Sequence, residues 1–466
     1  MFNMSSTPIR MTTSIKFYIL CPDRFANLTT IMNTTLSRRS LLGSMLAAGV
    51  SPLIIPSKLL GQQAPSKKIT IAMIGIGRQA VFTNMPALLG NPDVRIVAVC
   101  DVDAWRMEHG KKLVDAAYKN SDCKMFADWR EALAMPGIDA IVNSTSDQWH
   151  VPISLAAVNQ KLHVCCEKPL TLSLREGRIL ADAAKKQGIV FRTDTECRSD
   201  AYMIRLADLA RNGYVGKIKH FEVVVPSGDK PGGDATPTPV PEGLNYDMWV
   251  GPSPMHPYCL DRVHPVKAFT RPGWMRCSPT SEGMITNWGT HLLDVAQLAN
   301  NTERTGPVSV EGTGKYPDPG SGLWDVLIAF KVQFKYVNGV TLNYAMGPSA
   351  SLRIEGDEGW IQGGWNSKKS MTASDPKLLK TKFKSSDLRL PTRTDKKDFI
   401  NAIKTGEPVM IDAEIGHRTC SMGQIAHIAI KQGTRLDWNP VAEQFSQSAQ
   451  ANALLLRPYR SPWKLL

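Results

Sequence analysis

The stretch Lys68-Ile-Thr-Ile-Ala-Met-Ile-Gly75-Ile-Gly77-Arg-Gln-Ala80 decides the fold. An apolar, β-branched run enters a glycine turn, and a helical pattern leaves it. Twenty-one residues after Ala80, the run Val97-Ala-Val-Cys-Asp101 ends a second apolar strand in a carboxylate. Strand, glycine turn, helix, strand and acid, in that order, are the wiring of a dinucleotide-binding βαβ unit. Gly75 permits the tight turn, and Gly77 lets backbone approach a pyrophosphate. Arg78 and Gln79 stand in the same turn, and Ala80 is small enough to let helix pack on strand. An anion then lies on the free N–H groups of the helix N-terminus. Asp101 falls where a carboxylate grips both ribose hydroxyls. It favours NAD over NADP, because it repels a 2′-phosphate. Arg106 is near enough in sequence to soften that preference, which keeps NADP as the alternative.

Outward from this unit, strands alternate with helices up to about Phe191. Ile69–Ile74, Val94–Cys100, Ala140–Ser144, His163–Cys166 and Val190–Arg192 are short apolar runs. Asp103–Lys119, Trp149–Gln160 and Ser173–Lys186 carry helical periodicity, and Ser173 with Glu176 makes a capping box. Such alternation implies a parallel sheet wound by helices, with ligands at the carboxyl ends of its strands. After residue 193 the pattern changes. A helix over Ser199–Asn212 and a strand over Ile218–Val225 precede a Pro- and Gly-rich stretch, 226–282. Residues 308–364 hold strands such as Val340–Ala345 and Ser351–Glu355, with Asn338-Gly339 as a hairpin turn. Residues 365–391 are basic and read as an exposed loop, and helices follow over Lys396–Lys404 and Ala413–Lys431. The expected fold class is α/β: an N-terminal Rossmann domain, 65–192, and a C-terminal α+β domain, 193–466, with a largely antiparallel open sheet. The C-terminal helices are expected to pack back on the first domain.

The composition, 43% apolar and 21% charged, suits a soluble globular chain of two or three domains. The net charge of +13 is uneven: residues 1–63 hold six Lys or Arg against a single Asp. No basic run is interleaved with aromatics, so nucleic-acid binding is not expected. The nine cysteines show no paired spacing, so neither a disulfide framework nor a metal site is expected. Ser37-Arg38-Arg39-Ser40-Leu41-Leu42 precedes a moderately apolar stretch broken by Pro52 and Pro56. Residues 1–64 therefore read as a Tat-type export signal and linker, with Met32 as an alternative start, and the expected location is the periplasm. The stretch is too interrupted for a membrane span. Tat-type export moves folded proteins, so a dinucleotide enzyme behind it must carry a tightly held cofactor.

Three further constellations carry chemistry. Cys166-Glu167-Lys168-Pro169-Leu170 follows an apolar strand, which places a carboxylate and an ammonium at its carboxyl end. Asn287-Trp288-Gly289-Thr290-His291-Leu292-Leu293-Asp294 opens a helix, with His291 and Asp294 three residues apart, a pairing suited to an acid–base group and an orienting carboxylate. Asn143-Ser144-Thr145-Ser146-Asp147-Gln148-Trp149-His150 ends the fourth strand. There Asp147 reads as the cap of the next helix, and Trp149 and His150 fall near the cofactor ring.

The spacing of Gly75-x-Gly77-x-x-Ala80, Asp101, Thr145-x-Asp147-x-x-His150, Glu167-Lys168-Pro169 and Gly289-x-His291-x-x-Asp294 resembles the glucose–fructose oxidoreductase / inositol dehydrogenase family (Gfo/Idh/MocA). The resemblance runs from about residue 68 to the C-terminus, through Asn245-Tyr-Asp-Met-Trp-Val-Gly251-Pro252. It implies hydride transfer between a nicotinamide cofactor and a secondary hydroxyl of a sugar, glycoside or polyol, in a homo-oligomer (dimer or tetramer). It also implies that Lys168 binds the reacting hydroxyl, that His291 takes or returns its proton, and that Asp294 binds substrate or orients the site. Three positions depart from the family pattern. Ser146 replaces a common Pro, and Arg198 lies in Thr195-Glu196-Cys197-Arg198, where relatives often carry a Gln-rich variant. Asn287 stands where many members have Asp, and an amide cannot act as a base. Arg198, Tyr246, Trp274, Arg276 and Asn287 are the candidate substrate contacts. Two alternatives stay open: redox-neutral, NAD-dependent glycoside cleavage through a transient keto-sugar, and a non-catalytic sugar-binding protein.

Overall fold

The computed structural model describes residues 68–228, 230–364 and 371–465. Residues 1–64, read above as an export signal, with Met32, and residues 365–370 of the basic stretch lie outside the described residues. Among the described residues two sheets form, and the α/β class with a Rossmann unit first is borne out. The first sheet holds β1 (Ile69–Ile74), β2 (Val94–Cys100), β3 (Lys124–Phe126), β4 (Ala140–Asn143), β5 (His163–Glu167) and β6 (Phe191–Asp194). Its strand order is β3-β2-β1-β4-β5-β6, all parallel. The order reverses between β1 and β4, and the crevice outside the strand ends at such a switch point is where ligands bind in open α/β sheets. The strands read as near-continuous apolar runs because helices cover both faces. Ile71, Met73, Val142 and Val164 are fully buried.

The turns are built by the residues that signalled them. Gly75 has φ +83°, and a Cβ there would lie 2.8 Å from the backbone of Ser144. Both the left-handed conformation and the close approach of β4 require glycine. The helix Leu174–Gln187 starts at the capping box, with the Ser173 N–H donating to Glu176 Oε2 at 2.9 Å, and ends at Gly188 with φ 64°. Ser146 occupies the cap position of the helix Asp147–Asn159 without a side-chain bond, so Asp147 is its first residue rather than its cap.

The second sheet comprises β7 (Ile218–Pro226), β8 (Ser309–Lys315), β9 (Ala329–Lys335), β10 (Thr341–Gly347), β11 (Ser351–Gly356), β12 (Trp360–Gly363), β13 (Thr372–Ala373), β14 (Leu436–Asn439) and β15 (Gln444–Phe445). The order is β13-β12-β11-β7-β10-β9-β8-β14-β15, antiparallel except for β7 beside β10. In β9 exposed and buried residues alternate, the period-two mark of a strand with one covered face. Phe221, Phe334, Leu342 and Ile354 point from that face into a core shared with Leu206, Leu292 and Ile425 of the helices Ala201–Arg211, Gly289–Asn300 and Ala413–Gln432. Burying such side chains contributes about 1.5–3 kcal/mol each. The Asn338-Gly339 turn joins β9 to β10, with Gly339 at φ 83°. No helix among the described residues is long and apolar enough to cross a membrane.

Candidate active site

A cavity of about 670 Å³ opens at the carboxyl ends of the parallel strands. That volume is in the ~300–1,000 Å³ range of small-molecule and cofactor sites. Its floor is the glycine turn Gly75, Gly77, Arg78 and Gln79, with Asp101 after β2. Thr145, Trp149 and His150 after β4, and Glu167 and Lys168 after β5, form one wall. Ala80 lies behind this floor, fully buried, where it lets the helix pack against the sheet. Asn287, Trp288 and His291 close the opposite wall.

The segment 243–276 roofs the cavity. It is tied down on both sides by bonds from the first domain. Ala104 N–H donates to Gly243 O at 2.9 Å, and Trp149 Nε1 donates to Met248 O at 2.9 Å. Arg106 donates to Ala268 O at 2.7 Å and to Pro265 O at 3.0 Å, and its guanidinium lies 4.9 Å from the Phe269 ring. Arg106 thus ties down the roof and lines the same cavity as Asp101. Asp101 accepts from the N–H of Ile76 at 2.6 Å and of Asp103 at 2.9 Å, and burial raises its pKa.

The reactive groups converge from two elements. Lys168 Nζ donates to the carbonyl and to the side-chain Oδ1 of Asn287, both at 3.3 Å. His291 Nδ1 bonds Thr195 Oγ1 at 2.8 Å, and Trp288 stands edge-on to its ring at 5.7 Å. Burial, and after it the Lys168 ammonium, hold the His291 pKa well below the ordinary histidine value. The imidazole is therefore neutral at neutral pH, the form that accepts a proton. His150 faces two carbonyls, Pro169 O at 2.7 Å and Thr145 O at 3.1 Å, and burial lowers its pKa to about 4. It holds the wall and stays uncharged.

Four expectations need correction. Asp294 does not join His291 at the cavity. A helix turns about 100° per residue, so three residues leave the side chains about 60° apart. That rotation carries Asp294 into a buried seam, where Arg198 grips it by two bonds of 2.7 Å. Arg198 also reaches Glu303 at 2.7 Å and Met410 O at 2.9 Å. Both are structural, and neither lines the cavity. Tyr246 donates to His256 O at 2.9 Å and stacks on Trp249, while the Arg276 guanidinium lies over Trp324, and neither lines the cavity. Trp274 and Asn287 do line it.

Sequence reasoning missed Asn84, Asp147 and Glu196. Asn84 Nδ2 reaches Ser144 Oγ at 2.8 Å and Glu167 Oε1 at 2.9 Å, joining its helical turn to the ends of β4 and β5, and no local pattern announces it. Glu196 lines the cavity and accepts from Gln79 Nε2 at 3.0 Å. Burial, with the Asp194 carboxylate beside it, pushes Glu167 up to about 8.

The floor fits a dinucleotide. Glycine is obligatory at the turn, the cavity continues along β1 and β2 to a carboxylate, and four cationic side chains, Arg78, Arg106, Lys168 and Arg271, line the same space. Residues 69–195 match the oxidoreductase family, NAD-binding Rossmann fold, and residues 230–465 match the C-terminal alpha/beta domain of the same family. A 3-reductase acting on a dTDP-linked dideoxy sugar, from Streptomyces antibioticus, is 28% identical over 40% of this chain and 56% of its own. Myo-inositol 2-dehydrogenase of Thermotoga maritima is 30% identical over 32% of this chain and 42% of its own. The chain thus spans about half the length of these curated relatives. The crystal structure of an aldose-aldose oxidoreductase from Caulobacter crescentus superposes with a TM-score of 0.59 at 16% identity, covering 79% of this chain and 99% of that one. The chain belongs to the Gfo/Idh/MocA oxidoreductase family, and its parallel sheet is that family's NAD-binding domain.

Proposed function

We propose that the protein oxidises, or in reverse forms, a secondary hydroxyl of a sugar, glycoside or polyol with NAD. The observation that carries this reading is the meeting of the Lys168 ammonium and the neutral His291 imidazole in one cavity with the glycine turn and Asp101. A bound nicotinamide cofactor supplies the hydride acceptor. Lys168 Nζ holds the hydroxyl oxygen and stabilises the negative charge that grows on it, which a fixed cation in a water-poor site does well. His291 takes the hydroxyl proton on its ring, and Thr195 keeps the ring in place through Nδ1. Asp101 supports NAD over NADP by charge. Purified protein titrated with each cofactor, then incubated with a panel of sugars and glycosides under mass analysis, tests the reading. His291→Ala should cut turnover about 10²–10⁴-fold while cofactor affinity stays. Full activity in that variant refutes it.

The roof favours a second reading on the same residues. A segment 243–276 tied down at Gly243, Met248 and Ala268 would hinder release of a cofactor bound on the glycine turn, which would suit a resident group used in both halves of a redox-neutral glycoside cleavage. Turnover without added cofactor and without net change in nicotinamide absorbance would select this reading. We also propose Tat-type export to the periplasm, from Arg38-Arg39, and assembly through the open face of the second sheet. Fractionation with an Arg38→Lys/Arg39→Lys variant and light scattering check these two points.

A further inference from the structure

The short helix Met284–Asn287 hands over to the helix Gly289–Asn300 at a crowded junction. A Cβ on Gly289 would lie 2.5 Å from the Tyr344 hydroxyl, which donates to Ile285 O at 2.8 Å. The junction sets Asn287 in the cavity wall, 6% exposed, with its N–H donating to Gly283 O at 2.9 Å. Lys168 Nζ reaches both oxygens of Asn287 at 3.3 Å. An ammonium has three donors and no acceptor, so only the oxygen of an amide can face it. That contact decides how the side chain lies: Oδ1 toward Lys168, Nδ2 away from it. Nδ2 carries two hydrogens and donates to no other group among the described residues. A nearly buried donor left unbonded is costly unless something in the cavity accepts from it. Lys168 likewise keeps one donor after its two bonds to Asn287.

Resting on the proposed oxidoreductase reading, we propose that Asn287 is a specificity-determining contact of the same site: its Nδ2 donates to an oxygen on the carbon next to the one oxidised, while Lys168 holds the reacting oxygen. Nδ2 shares its carbon with the Oδ1 that Lys168 touches, so the two spare donors lie side by side and suit neighbouring oxygens. The substrate class is then a sugar, glycoside or polyol with oxygens on adjacent carbons, the second of them an acceptor, either a hydroxyl or a glycosidic oxygen. The amide takes no proton, so its part is selection, and proton transfer stays with His291. A substrate without the second oxygen leaves Nδ2 unanswered, and a site built around such a bond rejects the analogue that lacks it.

The test is a cycle of changes in substrate and protein. It uses whichever panel sugar turns over, with its deoxy analogue and its methyl ether at each carbon flanking the oxidised one. Deleting the oxygen at one flanking carbon should cost the wild type about tenfold or more in kcat/KM. Asn287→Asp keeps the shape but puts acceptor oxygen where the donors were. It should lower the ether-to-deoxy ratio of kcat/KM at that carbon at least about tenfold, because an ether oxygen can only accept. The bulk of the methyl group cancels in this comparison. A purely structural role would lower all three substrates together, and an unchanged ratio overturns the proposal. Where Asn287→Asp does not fold, Asn287→Leu should make the parent sugar and its deoxy analogue equal, and a surviving preference is the contrary result. A last arm needs no substrate. In protein labelled with ¹⁵N at asparagine, Lys168→Met should move the Asn287 Nδ2 protons upfield, since Oδ1 loses its cation. Unmoved signals also overturn the proposal. Moving signals without turnover on any panel sugar uphold the orientation of Asn287 and count against the oxidoreductase reading instead.

Discussion

Lys168 and Lys396 stand beneath the ends of neighbouring strands of one parallel sheet. Glu167 of β5 lies in register with Asp194 of β6, and both lysines bear on Glu167. Their surroundings are opposite. Lys396 is buried and ion-paired directly to Asp194, with Asp395 at 3.6 Å. Around it Arg192 binds Asp194 at 2.6 Å and Asp398 at 3.1 Å, and Arg393 binds Asp398 at 2.8 Å. Every charge there is answered inside the protein, and the cluster locks the helix Asp395–Thr405 to β6. Lys168 faces the cavity, and its hydrogen bonds go to uncharged oxygens of Asn287. A saturated charge network holds a fold together. An incompletely answered cation at a cavity wall is left to meet a charge that arrives or develops there.

The contrast can be broken at either lysine. The largest effect should follow Lys396→Met, which takes from Asp194 its direct cationic partner. A loss of about 3 kcal/mol in denaturant unfolding is expected, at the low end for a broken buried pair because Arg192 keeps one oxygen of Asp194. Little change would mean that the network is not structural. Lys168→Met should do the reverse: turnover falls about 10²–10³-fold, while stability moves by less than about 1 kcal/mol. Equal stability losses at the two lysines would erase the distinction.

A pH effect sharpens it further. Glu167, between the two lysines, titrates at about 8 in the folded chain against an ordinary 4.5. Between those values the folded chain keeps a proton that the unfolded chain has released. Stability therefore falls as pH rises through this window, and Glu167→Gln should flatten the decline in thermal melts. A steeper decline in the variant would contradict this. The smallest effect belongs to the aromatic contact behind Trp149. Trp463 stands edge-on to Trp149 at 4.7 Å, and Trp463→Ala should cost about 1 kcal/mol beyond lost area, with kcat unchanged.

The parts of the site legible in the sequence are those whose reason is local. Gly75 is demanded by a turn, Ser173 and Glu176 by a helix start, and Glu167 and Lys168 by the end of an apolar strand. The α/β class and the open second sheet follow from hydrophobic period, which neighbouring residues carry. The misreadings share a different origin. Asp294 sits one helical turn from His291, and only the seam made with Arg198 from another segment decides where it points. Tyr246 and Arg276 lie in short helical turns, Tyr246–Val250 and Gly273–Arg276, whose placement depends on what they pack against, so their side chains could not be aimed from sequence. Asn84 acts across 60 residues to Ser144 and 83 to Glu167, with no pattern to betray it.

The sequence by itself determined the dinucleotide unit, the parallel sheet with its strand-end ligand site, and the lysine and histidine offered to it, because turn chemistry and periodicity act over a few residues. Only the tertiary structure decided which charges are answered. Ion pairs and cavity walls are made between segments far apart in the chain, and burial there sets whether a carboxyl holds its proton. So the chain alone named Lys168, while the fold drew Asp294 out of the cavity and into the seam with Arg198.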